Sequence, residues 1–213
     1  MERPLPDTSS AIGRGAPPHV RIVPLSRLQT GRATGVLARA YVSNPLHEAA
    51  FGAGSLGTNE SFFRIGLHAM KGRKLAAVDG PGVLGVVHWA RYPDCRFSPL
   101  EKFRMTAALV QGLGVREALR LRSWLSTWEA HHWPEPHVHL GPIAVEPWAQ
   151  GRHIGSMFME AYCEDVDRSR LPGFLETDRR SNIGFYERFG FEVTGTASVL
   201  GVENWFMRRN ARA

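Results

Sequence analysis

Two stretches of this sequence combine residue types that could hold a charged ligand and help a group-transfer reaction. The first runs from His137 to Cys163. It opens with Val138-His139-Leu140-Gly141-Pro142-Ile143-Ala144-Val145, an apolar run rich in β-branched residues and short enough for a strand, and Pro147 closes it. The turn Gln150-Gly151-Arg152-His153 follows. Beyond it Ile154, Met157, Phe158, Ala161 and Tyr162 recur at helical spacing, with Gly155 and Ser156 in the first turn. A strand, a glycine-bearing turn and a helix in that order leave unpaired amide hydrogens at the helix start, which attract an anion such as a pyrophosphate. An ordinary helix start behind a glycine turn has the same pattern, so these residues alone leave both readings open. Other phosphate loops do not fit. No Lys-Ser or Lys-Thr follows the glycines, as a nucleoside-triphosphate loop requires, and the spacing is not that of a dinucleotide fingerprint.

The second stretch is Asn182-Ile183-Gly184-Phe185-Tyr186-Glu187-Arg188-Phe189-Gly190-Phe191. Taken alone, Phe185, Tyr186 and Phe189 read as aromatics packed on one helix face. Both stretches together resemble the GCN5-related N-acetyltransferases. The first is similar to that family's Gln/Arg-x-x-Gly-x-Gly/Ala motif, matched by Gln150, Ile154 and Gly155, with His153 where the family most often has glycine. The second is similar to Asn-x-x-x-x-Tyr-x-x-x-Gly-Phe, which it matches in spacing and type.

The resemblance implies acetyl-CoA as cofactor and direct transfer of the acetyl group to an amine in a ternary complex, without a covalent enzyme intermediate. It implies an α/β (α+β) fold: a mixed, mostly antiparallel twisted sheet of about 6–7 strands flanked by helices, with a strand pair splayed at the cofactor site by a bulge at Gly141-Pro142. Backbone groups of Ile143, Ala144 and Val145 would serve the pantetheine arm and the oxyanion. Gln150, Gly151, Arg152, His153, Ile154, Gly155 and Ser156 would surround the phosphates, with Arg152 either reaching one or simply solvated. Asn182, Phe185 and Tyr186 would complete the cofactor contacts. A departing thiolate, of pKa about 8.5, is helped by a nearby proton donor, and a tyrosine of pKa about 10 is still protonated at neutral pH. Tyr186 aligns with the family's donor.

The proton acceptor has no comparable motif. Glu176 ranks first, at the end of a strand facing the slot; Glu146, His139 and His88 follow, and each also has an ordinary structural reading. His131, His132, His137 and His139 lack the His-x-x-x-His helical spacing and straddle two prolines, so they read as solvated or structural loop histidines and no metal site is expected. Cys95 and Cys163 show no metal spacing, and a reduced, cytoplasmic protein is the simpler account.

The elements that must position these residues follow from pattern. Val20 to Pro24 reads as a first strand. Helical periodicity runs from Leu25 to Tyr41, is broken at Asn44-Pro45 and resumes from His47 to Met70 across a glycine interruption. Lys74–Asp79 and Val83–Trp89 are strands around Gly80-Pro81-Gly82. Residues Glu101 to Ala130 are helical with a break near Gly112-Leu113-Gly114. Gly173–Thr177, Phe191–Thr194 and Asn204–Arg208 are strands, and Ile183–Phe189 is a helix stopped by Gly190.

At 213 residues the chain suits one domain. Residues 1–18 are polar and rich in Pro and Gly, expected as a flexible lead-in, with the domain over 19–213. No apolar run is long enough to span a membrane. The net charge of +6 is scattered rather than clustered, which favours an anionic cofactor over nucleic acid. A homodimer is compatible with all of this. The runs Phe174–Thr177, Tyr186–Arg188 and Trp205–Arg208 are further similar to puromycin N-acetyltransferase-like members of the family, implying a small-molecule amine acceptor. Two alternatives stand beside it: a non-catalytic acyl-CoA-binding or regulatory module, which His153 supports best, and a protein-directed N-acetyltransferase.

Overall fold

The computed structural model describes residues 19–212, so the lead-in expected over 1–18 lies outside the described residues. Seven strands form one sheet: β1 (Arg21–Pro24), β2 (Arg73–Asp79), β3 (Gly82–Arg91), β4 (Val138–Val145), β5 (Gly173–Thr177), β6 (Glu192–Val199) and β7 (Val202–Arg209). Their order is β1-β2-β3-β4-β5-β7-β6. Neighbours are antiparallel except β4 and β5, which are parallel, so the sheet is the mixed one expected. The β4–β5 connection is a helical crossover, as a parallel pair requires.

Helices cover both faces. α6 (Ile154–Ser169) buries Ile154, Phe158, Met159, Tyr162 and Val166 against the strands on one side. α1 (Thr30–Tyr41) and α3 (Leu56–Ala69) pack Ala33, Val36, Leu37, Phe63 and Leu67 on the other. β3 is therefore buried along nearly its whole length, which is why it reads as a continuous apolar run rather than an alternating one. A third cluster joins α2 (Pro45–Phe51), α4 (Pro99–Leu113) and α5 (Val115–His131) through Leu46, Leu109, Leu121 and Trp124. α7 (Ile183–Glu187) is a single short turn beside the sheet.

Several boundaries differ from the sequence expectation for local reasons. α4 begins at Pro99, two residues before Glu101, because Ser98 and Glu101 form a reciprocal cap: Glu101 N–H donates to Ser98 Oγ (3.3 Å) and Ser98 N–H to Glu101 Oε2 (2.8 Å). Asn44-Pro45 ends one helix and starts the next, since Asn44 Oδ1 accepts from the amides of Leu46 and His47 (3.1 Å each) with Pro45 in the first turn. The last two strands are longer than expected. They meet in the two-residue turn Leu200-Gly201, both at positive φ (53° and 81°), and a leucine there gives no turn signal in sequence. α7 stops at Glu187 rather than Phe189, and Gly190 takes the positive φ of 85° that lets the chain turn away.

Candidate active site

The site begins with an irregularity in β4. Val87 of β3 pairs with Ile143 and Trp89 with Leu140, so Gly141 and Pro142 together oppose the single residue His88. This is the bulge expected at Gly141-Pro142. It also explains the glycine: a Cβ at Gly141 would collide with His88 Nδ1. Beyond the bulge the parallel neighbours separate. β4 and β5 pair only at Val138 with Gly173 and His139 with Phe174, leaving the edge of Leu140 to Val145 without a strand partner on that side. The gap opens into a cavity of about 720 Å³ bordered by Tyr41, Ile143, Glu176, Asn182 and Tyr186. Ile143 and Val145 sit half-buried and Ala144 buried at its edge. The Tyr41 hydroxyl donates to the Ile143 carbonyl (3.3 Å), a contact across 102 positions of sequence that periodicity could not give.

The turn after β4 keeps the shape that the spacing implies. Gln150 Nε2 donates to the Val145 carbonyl (3.2 Å) and closes the loop onto the strand end. Gly151 (φ 77°) and His153 (φ 60°, ψ 3°) both take left-handed backbone, and α6 starts immediately after. Ile154 is buried and anchors the helix; Gly155 and Ser156 are half-buried in its first turn, which has no acidic residue. Arg152 is half-buried and makes no ion pair with any described residue. His153 thus holds the conformation in which glycine is relaxed, at a cost of about 1–2 kcal/mol for a residue with a Cβ. His153→Gly is expected to raise stability by about 1 kcal/mol, read as a shift of the urea midpoint, with no loss of cofactor affinity. Unchanged or lower stability would show that the imidazole compensates for its backbone.

Tyr186 and Asn182 approach the gap from the α7 side. Tyr186 is buried, its ring edge-on to Phe185 (5.3 Å) and Phe191 (6.3 Å), so it is a packing aromatic. It also borders the cavity, and its hydroxyl hydrogen-bonds to no described residue. Burial, with Tyr41 and Asp178 nearby, pushes its pKa well above the usual tyrosine value, so the proton is present at neutral pH. Asn182 lies half-buried at the mouth. Phe185 stands over the start of α6, where a Cβ on Gly155 would meet its ring at 3.5 Å.

The candidate proton acceptors separate in the structure. Glu146 is buried and gripped by Arg39 through both carboxylate oxygens, so it is committed. His88 points its Nε2 at the Lys71 carbonyl, and burial lowers its pKa to about 4. Glu176, with a side chain only 3% exposed, has one oxygen, Oε2, 2.7 Å from His139 Nε2, while Oε1 has no partner among the described residues. Asp178 is used locally: it accepts from Asn44 Nδ2 (2.8 Å) and Leu46 N–H (2.9 Å), fixing the start of α2 at the cavity wall. Of the four loop histidines, His131 stacks on Phe206 (4.8 Å), whereas His132, His137 and His139 draw together around Cys95, and His137 is fully buried rather than solvated.

The far wall of the cavity is aromatic and contains His47, packed among Tyr41, Phe62, Phe63 and Trp124. Its pKa is lowered from 6.5 to about 4 because burial disfavours the charged ring. The unfolded chain therefore binds a proton that the folded chain refuses in this window. The neutral ring's stabilising effect is full above about pH 6.5 and is lost as pH falls toward 4. The loss attributable to His47 is about 3 kcal/mol. Urea unfolding of the parent and of His47→Gln at the two pH values should show a smaller acid loss in the variant. Equal losses would mean the ring charges in place.

Comparison with known proteins places these features. Residues 107–191 match the model of the acetyltransferase (GNAT) family, a segment that contains β4, the Gln150–Ser156 turn, α6, β5 and Tyr186. The chain is similar to the structure of a histone acetyltransferase HPA2 and related acetyltransferase from Corynebacterium glutamicum (18% identity, TM-score 0.68, covering 92% of this chain and 98% of that one). It is also similar to arylalkylamine N-acetyltransferase 2 from Aedes aegypti (13% identity, TM-score 0.62, 91% and 99%). A third likeness is to a GNAT family acetyltransferase from Brucella melitensis solved in complex with acetyl-CoA (14% identity, TM-score 0.51, 92% and 90%). At these identities the likeness is one of fold. The likeness of fold spans nearly the whole chain, and the match to the GNAT family model is to residues 107–191.

Proposed function

We propose that this chain is an acetyl-CoA-dependent N-acetyltransferase that passes the acetyl group to the amine of a small molecule by direct attack in a ternary complex, with residues 19–213 as its catalytic domain. The observation that carries this reading is the gap between β4 and β5 beyond His139, with the α6 start at one end and the unbonded Tyr186 hydroxyl at its side. The cradle fits the cofactor. First-turn amides of α6 face the turn without an acidic neighbour, Gly155 leaves space below Phe185, and one edge of β4 has no strand partner.

Ile154, Gly155 and Ser156 would hold the pyrophosphate through their amides, with Arg152 beside it. The backbone of Ile143, Ala144 and Val145 would hold the pantetheine arm and polarise the thioester carbonyl, and Asn182 would bond to the arm near the mouth. As the amine nitrogen bonds to the carbonyl carbon and the carbon–sulfur bond breaks, Tyr186 gives its proton to the departing sulfur. Glu176, which borders the cavity and whose buried Oε1 has no partner among the described residues, would receive the proton from the amine.

A small-molecule acceptor is supported by the aromatic wall of the cavity and its carboxylates, which suit an apolar cation. His153 lends little to the module reading, because its backbone already has the left-handed shape that glycine would adopt. Calorimetric titration tests the proposal. Acetyl-CoA should bind at micromolar levels while ATP and NAD do not, and thioester should be consumed with at least one aryl-bearing amine from a panel that includes puromycin. Binding without turnover on any amine would favour the module; turnover only on protein amino groups would favour the protein-directed alternative.

A further inference from the structure

The gathering of Cys95, His132, His137 and His139 meets the groups assigned to acetyl transfer only where His139 touches Glu176, and its chemistry is that of a metal centre. One ligand atom from each of the four lies within 4.8 Å of all the others. Cys95 Sγ stands 3.7 Å from His137 Nε2. Tetrahedral zinc, with Zn–N of about 2.0–2.1 Å and Zn–S of about 2.3 Å, sets its ligand atoms about 3.3–3.6 Å apart. The widest separation therefore needs to contract by about 1.5 Å at most to enclose such an ion.

The outer hydrogen bonds point the same way. Imidazole ligands are oriented by a carbonyl or carboxylate on their other nitrogen. His137 Nδ1 is 2.7 Å from the Glu135 carbonyl, His132 Nδ1 is 3.2 Å from the Trp133 carbonyl, and His139 Nε2 is 2.7 Å from Glu176 Oε2. Each contact leaves one ring nitrogen for the centre: Nε2 of His132, Nε2 of His137 and Nδ1 of His139. His132 Nε2 is buried with no partner, a condition that is costly for a polar atom with nothing to bind. The three rings crowd at centroid separations of 4.6, 5.0 and 6.1 Å. Charge also balances, because a divalent ion with one thiolate, three neutral imidazoles and the Glu176 carboxylate against His139 sums to zero.

We propose that Cys95, His132, His137 and His139 bind a tetrahedral zinc ion. One thiolate and three imidazoles are the donor set of a borderline-soft ion, and four protein ligands leave no open position, so the site is structural. Its place in the fold gives the role. Cys95 lies between β3 and α4, and His132 and His137 lie between α5 and β4. The ion fastens both ends of the α4–α5 hairpin to β4, at the floor of the acceptor cavity, and orients Glu176 through His139. The Pro134 and Pro136 that break the helical spacing are what fold His132 back toward His137.

The test uses the purified full-length chain. Zinc content after dialysis should be stoichiometric, and cobalt substituted for zinc should give the strong visible bands of a tetrahedral ion together with a thiolate-to-cobalt charge-transfer band. Cys95→Ser should abolish the charge-transfer band, and His137→Ala should lower zinc affinity by at least tenfold. Chelation of the unmutated chain should lower its melting temperature, which keeps the test decisive if a variant folds poorly. Failure to retain zinc or cobalt at all, or a cobalt spectrum unchanged by Cys95→Ser, would overturn the assignment. None of these readouts depends on acetyl transfer.

Discussion

Replacing Tyr186 by Phe is expected to lower turnover by roughly ten- to a thousand-fold while leaving acetyl-CoA affinity within about twofold. The substitution is unusually clean. The hydroxyl makes no hydrogen bond to a described residue, so its removal strands no partner, and the ring keeps its contacts with Phe185 and Phe191. Stability should hold, because the hydroxyl faces the cavity and the packed ring is unchanged. The effect should therefore fall on kcat, the signature of an interaction made as the sulfur departs. Steady-state kinetics with calorimetry on the same preparation decides it. An unchanged kcat would leave Tyr186 only its packing role and pass the donor function to water.

Gly155→Asp should do the opposite, weakening binding without harming the fold. The added Cβ meets only the edge of Phe185, at ordinary contact distance. An acidic residue in a helix's first turn is favourable by about 0.3–1 kcal/mol, and α6 has none. The free protein should thus be at least as stable as the parent, whereas acetyl-CoA affinity should fall by about 10- to 100-fold because a carboxylate stands where the phosphates would lie. Calorimetry and thermal unfolding read the two quantities separately. Parent-like affinity in the variant would mean that the phosphates lie elsewhere.

Much of this site could be read from the chain because its parts are local. Val138 to Ile154 carries a change of period from strand to helix across one turn, and Asn182 to Phe191 lies within ten residues, so each announces itself without tertiary information. The bulge could be read for a similar reason: Gly141-Pro142 is wrong for an unbroken ladder. What stayed hidden depends on distant contacts. Tyr41 looks like the end of an apolar stripe until its hydroxyl meets Ile143, and Asp178 looks like a loop acid until it caps α2. Glu146 competed with Glu176 as a base in sequence; only the fold puts Arg39 against it. The Cys95–His139 cluster was the most deeply concealed. Its members come from two loops and a strand, so no spacing rule connects them, and the sequence argument against a metal there rested on a helical geometry that the site does not use.

The two register pairs that join β4 to β5 also have a mechanical meaning. The sheet is two half-sheets, β1 to β4 and β5 to β6, that share a short seam at one end and part at the other, like the covers of a book held at the spine. On the proposed function, a ligand arm lying in the opening would supply the edge of β4 with the partner that β5 withholds. Such a ligand would act as an eighth strand, completing backbone pairing that the sheet itself leaves open.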